Sequence, residues 1–160
     1  GVGQGFGLGD AAVYIGAAQR ALDFIINDCK THRYSPDQDA LSHSLVVQRG
    51  VAEMTLILEG ARTVLYQSAS RWNEKKDPIA RAILAAQAKY LATEASLMVT
   101  SRALQTAGGR VAHRRYPLER IYRDVRTCTL MPPNADRCLE IVGKAELGLD
   151  DELLVLRHSS

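Results

Sequence analysis

Apolar residues recur along this chain at three- and four-residue steps, and no segment sustains an alternation of apolar and polar positions. That periodicity confines the chain to helices. A stripe repeating every ~3.6 residues buries one face of a helix, whereas a half-buried strand needs period two. Helix-stopping residues are sparse and grouped, so the helices they delimit are long.

Gly1, Gly3, Gly5, Gly7 and Gly9 make a run too flexible for a helix interior. Residues 1–9 therefore read as a glycine-rich lead-in, with Asp10 as the N-cap of a helix beginning at Ala11. Ile15, Ala18, Leu22, Ile25 and Cys29 form its apolar stripe. The segment from Thr31 to Asp39, with Tyr34-Ser35-Pro36-Asp37 inside it, reads as a loop. A second helix from about Leu41 to Trp72 turns Leu45, Gln48, Ala52, Leu56, Ala61, Val64, Leu65 and Ser68 inward, with Gly50 and Gly60 as weak points. At ~1.5 Å per residue it is roughly 40 Å long or more.

Asn73-Glu74-Lys75-Lys76 ends that helix, and Asp77-Pro78 supplies an N-cap and a first-position proline for the third. The third helix presents Ile79, Ile83, Leu84, Ala88, Leu91, Ala95, Met98 and Leu104, and stops at Gly108-Gly109. A fourth begins at Pro117 with Leu118, Ile121, Tyr122 and Val125 inward, before Pro132-Pro133 interrupts the pattern. Asn134 caps a last helix carrying Cys138, Leu139, Ile141, Val142 and Ala145, which ends near Gly148. The expected fold is all-α: an up-and-down bundle of four long helices plus a short terminal one, over residues 10–148, with a tail at 149–160. The alanine-rich second and third helices permit close approach but bury little area per residue, which predicts oligomerisation.

A length of 160 residues suits one domain, and 46% hydrophobic with 24% charged residues separates the chain from disordered ones. Lys plus Arg number 20 against 18 acidic residues, so the net +2 predicts no general affinity for nucleic acid or membranes. No stretch approaches the roughly 18 apolar residues of a membrane span, and no signal-peptide pattern opens the chain. Cys29, Cys128 and Cys138 are odd in number and lack C-x-x-C spacing. That argues against a disulfide framework or zinc site and points to a reducing cytoplasm. The start at Gly1 rather than Met raises the question of processing or truncation upstream.

The alternate glycines of the opening never give the G-x-G-x-x-G spacing of a dinucleotide fingerprint. None of His32, His43, His113 and His158 has a Glu three residues earlier, which removes the di-iron reading of a four-helix bundle. No pair of His or Cys has zinc spacing, and there is no G-x-S-x-G elbow. The segment Gln105–Arg126 is different. Arg110, Arg114, Arg115, Arg120, Arg123 and Arg126 face only Glu119 and Asp124 within it. Gly108-Gly109 lets backbone amides approach a ligand, and Pro117 opens a helix whose N-terminus favours an anion. Two readings stand side by side. One is a phosphate or pyrophosphate contact; the other is a helix C-cap beside a solvated, salt-bridged arginine face.

Five elements in order carry a resemblance. They are Gly16-Ala17-Ala18-Gln19-Arg20-Ala21-Leu22; Ala52-Glu53-Met54 with Ala61-Arg62; Ala88-Lys89; Gln105-Thr106-Ala107-Gly108-Gly109; and Tyr116-Pro117-Leu118-Glu119-Arg120 followed by Arg123-Asp124-Val125-Arg126. From about Ala11 to Gly148 the chain resembles the C-terminal domain of the acyl-CoA dehydrogenase family of flavoproteins. The resemblance implies a helical bundle at the core of a homodimer or homotetramer, and an oxidoreductase acting on an acyl-CoA or similar small molecule. It also implies FAD shared with other domains and a neighbouring subunit, contacted by Gln105, Gly108 and Gly109. An arginine ending the first bundle helix commonly meets the pyrophosphate, and Arg33 is the nearest candidate, although Tyr34-Ser35-Pro36 replaces the usual continuation.

The family pattern departs at the catalytic base. Pro132 falls where many members carry a Glu, and Phe6 falls where others place it. Neither side chain can accept a proton, so no catalytic residue is assigned. Asp10 is the nearest carboxylate in sequence, read as a cap. Some branches of the superfamily lack the Glu and use reduced flavin with O₂, which leaves a monooxygenase as an alternative and a non-catalytic oligomerisation module as another. Complete members add an N-terminal helical domain and a middle β-domain, so the expectation is a fragment or one subunit of a split enzyme, inactive alone.

Overall fold

The computed structural model describes residues 2–33, 39–149 and 152–155, and the described residues form helices with no strand. The helices are α1 (Val2–Thr31), α2 (Leu45–Trp72), α3 (Pro78–Ala107), α4 (Pro117–Cys128), α5 (Ala135–Glu146) and the single turn α6 (Glu152–Val155). Short 3₁₀ turns at Leu41–His43 and Gly109–Ala112 precede α2 and follow α3. The all-α bundle is as expected, but only three helices are long: α4 and α5 have 12 residues each.

α3 is the central rod, packed against α1, α2, α4 and α5. Asp77 caps it, its carboxylate accepting from the Ile79 and Ala80 amides at 3.1 and 3.2 Å, and Pro78 takes the first turn. Its buried face is built of small residues, among them Ala88, Ala92, Ala95, Ser96, Val99, Thr100 and Ala103. Small side chains let neighbouring helices come close enough for the Ser96 hydroxyl to donate to the Tyr14 carbonyl at 2.9 Å. Thr100 returns its hydroxyl to the Ser96 carbonyl at 2.7 Å, so both buried hydroxyls are satisfied.

α1 and α3 run parallel, as Asp10 with Lys89, Tyr14 with Ser96 and Asp28 with Arg110 meet in rising order. α2 is antiparallel to α3: Glu53 meets Arg102 at 3.3 Å, while Gly60 and Val64 lie opposite Leu91 and Ala95. On α1 the predicted stripe of Ile15, Ala18, Leu22, Ile25 and Cys29 is buried. The helix begins earlier than expected, however, at Val2 rather than Ala11, and Asp10 is not its N-cap. Each helical glycine costs about 1 kcal/mol relative to alanine, but packing against α3 overrides that cost. A Cβ at Gly7 would sit 3.0 Å from that of Ala85, so this glycine permits a close approach.

On α2 the expected stripe holds in the second half, where Ala61, Leu65 and Ser68 are buried, and the inward face differs from the predicted one in the first. Gly50, Met54, Leu58, Ala61, Leu65 and Ser68 are buried, whereas Leu45 and Leu56 are 71% and 72% exposed and Gln48 and Ala52 also face out. Apolar residues lie on more than one side of α2, so period alone does not choose between faces. Leu91 of α3, Tyr122 of α4 and Leu139 of α5 were also expected inside and are exposed. Asn134 caps α5 as anticipated, accepting from the Arg137 amide at 2.9 Å, and Cys138 is fully buried.

Candidate functional site

The end of α3 and the start of α4 carry the predicted residues. Gln105 is exposed on the last turn of α3. Gly108 adopts φ 75° and ψ 179°, a backbone shape open essentially to glycine alone. Its amide donates to the Leu104 carbonyl at 3.0 Å, and its carbonyl accepts from Val111 at 3.3 Å. The Gly108 amide is thus committed to ending the helix. A Cβ at Gly109 would meet nothing within 4 Å, so the chain is open to its surroundings there. Arg33 is exposed in an isolated bridge with Ala40, beyond the end of α1 that parallels the end of α3. Tyr34-Ser35-Pro36, which replace the expected continuation, lie outside the described residues.

The six arginines divide in two. Arg110 is ion-paired with Asp28 of α1, its guanidinium carbon 5.8 Å from the centre of the Tyr116 ring. Arg123 meets Glu119 at 2.7 Å and Arg120 meets Asp124 at 3.5 Å, one helical turn apart in each case. Arg126 reaches the Thr129 hydroxyl at 3.3 Å. Arg114 and Arg115 form no ion pair among the described residues, although Arg115 lies 4.9 Å from the Tyr116 ring centre. Phe24 meets that ring edge-on at 6.2 Å, which aligns the α1 face of Arg20, Phe24 and Asp28 with the start of α4. Arg20 thereby joins Arg114, Arg115, Tyr116 and Arg120 around an open groove of about 600 Å³. Sequence reading missed both Asp28 and Arg20, because each arrives from a helix more than 80 positions away from the segment it meets.

A second polar cluster lies inside the bundle near the opposite end. The Lys89 ammonium, 2% exposed, sits 3.2 Å from the Asp10 carboxylate, itself 28% exposed, and donates to the Met131 carbonyl at 2.8 Å. Asp10 is therefore an ion-pair partner rather than a cap. One turn further along α1, Tyr14 is buried and hydrogen-bonded to Cys128, and burial pushes its phenol far above the ordinary range. Burial likewise raises the thiols of Cys128 and Cys138; the Tyr14 hydrogen bond and the Lys89 charge respectively oppose it. Lys89 ties α1 to the segment leaving α4, next to Pro132. Phe6 is exposed one turn before Asp10. Ala88-Lys89 was legible in the sequence only as a matching dipeptide; a lysine among alanines at a core position was the available signal. Among the described residues no group of three His, Cys, Asp or Glu side chains could hold a metal.

The central helix α3 thus ends in a glycine turn, flanked by a parallel and an antiparallel partner and by an arginine-rich edge. Residues 8–131 match the family model for the acyl-CoA dehydrogenase C-terminal domain, and the chain belongs to that family. It is 35% identical over 123 residues to the mitochondrial short-chain specific acyl-CoA dehydrogenase of Homo sapiens, covering 74% of this chain and 28% of the relative. It is 36% identical over 123 residues to 3-sulfinopropanoyl-CoA desulfinase of Paraburkholderia xenovorans, covering 77% and 30%. The butyryl-CoA dehydrogenase structure from Megasphaera elsdenii superposes with a TM-score of 0.83 at 27% identity, over 90% of this chain and 36% of that one. The chain thus spans about a third of the length of the proteins it matches.

Proposed function

We propose that this chain is the FAD-contacting and self-associating bundle of an acyl-CoA dehydrogenase-like oxidoreductase. In this reading Gln105, Gly108 and Gly109, with Arg33, lie against FAD shared with a neighbouring subunit. The supporting observation is the end of α3, where Gln105 is exposed and the space over Gly109 is open. These residues fit a cofactor approaching from outside the chain: an amide side chain and a backbone edge face outward. Gly108 contributes the shape of the turn, its own amide being used internally. When bound, FAD supplies two-electron redox chemistry; the bundle orients it and shields one side, and further polypeptide must complete the pocket.

Self-association is assigned to the outer face between α2 and α3, where Ile57, Val64, Leu91 and Met98 line an apolar groove of about 510 Å³ beside exposed Leu56. A homodimer or homotetramer would cover it. The free thiols of Cys29, Cys128 and Cys138 favour a cytoplasmic setting. No helix of the described residues is long and apolar enough to cross a membrane.

Phe6 and Pro132 at the two expected base positions favour a second reading, the bundle of a flavin-dependent monooxygenase of the same superfamily. The test uses the chain joined to the rest of its subunit. Wild type is expected to retain FAD through gel filtration, and the Gln105→Leu, Gly109→Asp double variant to lose it. Equal retention overturns the contact, and no flavin in either protein supports a non-catalytic oligomerisation module. NAD(P)H- and O₂-dependent turnover without oxidation of a CoA ester would establish the monooxygenase.

A further inference from the structure

Neither Gln105 nor Gly109 lines the groove between α1 and α4, and its charge is not balanced internally. Asp28 is ion-paired with Arg110, Glu119 with Arg123, and Asp124, which itself lines the groove, with Arg120. Asp23, three positions along α1 from Arg20, accepts from the neutral Gln19 amide at 2.8 Å and keeps its charge, so the groove retains a positive excess from its four arginines. Arg20, Arg114 and Arg115 are left facing the groove with no ion pair among the described residues. Arg115 is held in place by the Tyr116 ring, which in turn is held by Phe24, so at least one guanidinium is pre-positioned. Pro117 opens α4 beside the groove and no side chain caps its first turn, so the positive end of the helix lies there, offset in part by Glu119 of the same turn. Like charges gathered from two helices repel one another until an anion enters. Guanidinium forks match the paired oxygens of phosphate groups.

We propose that this groove binds the pyrophosphate or phosphate group of a small ligand, with Arg20, Arg114 and Arg115 as its contacts. The site is separate from the proposed flavin wall and does not rest on it. The groove, at about 600 Å³, is large enough for a phosphate group with an attached organic moiety.

The test is calorimetric titration of the full chain with inorganic pyrophosphate and, separately, ADP, at low salt. Saturable binding of either is expected, weakened about tenfold or more by Arg20→Gln and by Arg114→Gln. Both residues are exposed, so circular dichroism should show both variants folded. Arg126→Gln, whose guanidinium is engaged by Thr129, should bind like wild type. Tighter binding of ADP identifies a nucleotide ligand, and equal binding a bare pyrophosphate; both support the site. Absence of binding, or equal weakening by Arg126→Gln, overturns it, since the second result means a diffuse charge effect. Tighter binding to single-stranded RNA than to pyrophosphate overturns the small-ligand assignment, and loss of pyrophosphate binding in the Gln105→Leu, Gly109→Asp variant overturns the separation from the flavin wall.

Discussion

Lys89 shows how one side chain links three parts of the molecule. Its ammonium is almost wholly withdrawn from water, and Asp10 and the Met131 carbonyl together replace its lost hydration. Lys89→Met retains most of the side-chain volume but leaves the carboxylate and the carbonyl without their donor. Asp10 is close enough to the surface to rehydrate, so the expected loss is about 1–3 kcal/mol in urea unfolding rather than that of a fully buried pair. A double-mutant cycle with Asp10→Asn should show coupling between the two positions. The buried thiols of Cys29 and Cys138, the half-buried thiol of Cys128 and the buried Tyr14 phenol give a pH dependence of known sign. Cys29, Cys128 and Cys138 are raised above their ordinary 9.0, and Tyr14 above 10.0, chiefly by burial. The folded chain therefore holds these protons more tightly than the unfolded one. That stabilisation is complete below pH 9.0 and is lost as pH rises above it, so melting temperature should fall on the alkaline side. A flat melting profile from neutral pH into the alkaline range would contradict the burial of these groups.

Among the elements, α2 is where the two possible faces make opposite predictions. Met54 is fully buried and Leu56 faces out, although periodicity had chosen Leu56. Met54→Ala should cost about 2–4 kcal/mol, as expected for a truncated core residue, and Leu56→Ala close to nothing in the isolated chain. Chemical denaturation of the two variants side by side decides between the faces. α3 carries the opposite lesson. Asp77 and Pro78 mark its start and Gly108 its end, because capping and the glycine turn are local interactions between residues adjacent in sequence. α1 was misread at its start because the cost of its glycines is local, whereas the compensation, a close contact between Gly7 and Ala85, comes from another helix.

At the scale of the whole molecule, an apolar face between α2 and α3 is left uncovered by the described residues. Leu91 lies on that groove and is 40% exposed, so Leu91→Arg should lower the mass seen by light scattering while barely changing the fold's far-ultraviolet signature. An unchanged mass would place the interface elsewhere or remove it. The family was readable from five short motifs in order, and residues 8–131 match its C-terminal domain. The candidate site was only half readable. Gln105, Gly108 and Gly109 lie within five consecutive positions, but the ion balance of the arginine edge depends on Arg20 and Asp28. By itself the sequence determined the number and order of the main helices and most of their caps, since helical hydrogen bonds and caps join residues a few positions apart. Only the tertiary structure decided which face of α2 turns inward, where α1 begins, and which arginines keep an uncompensated charge. Each of those outcomes depends on surfaces that meet only after distant parts of the chain have packed together.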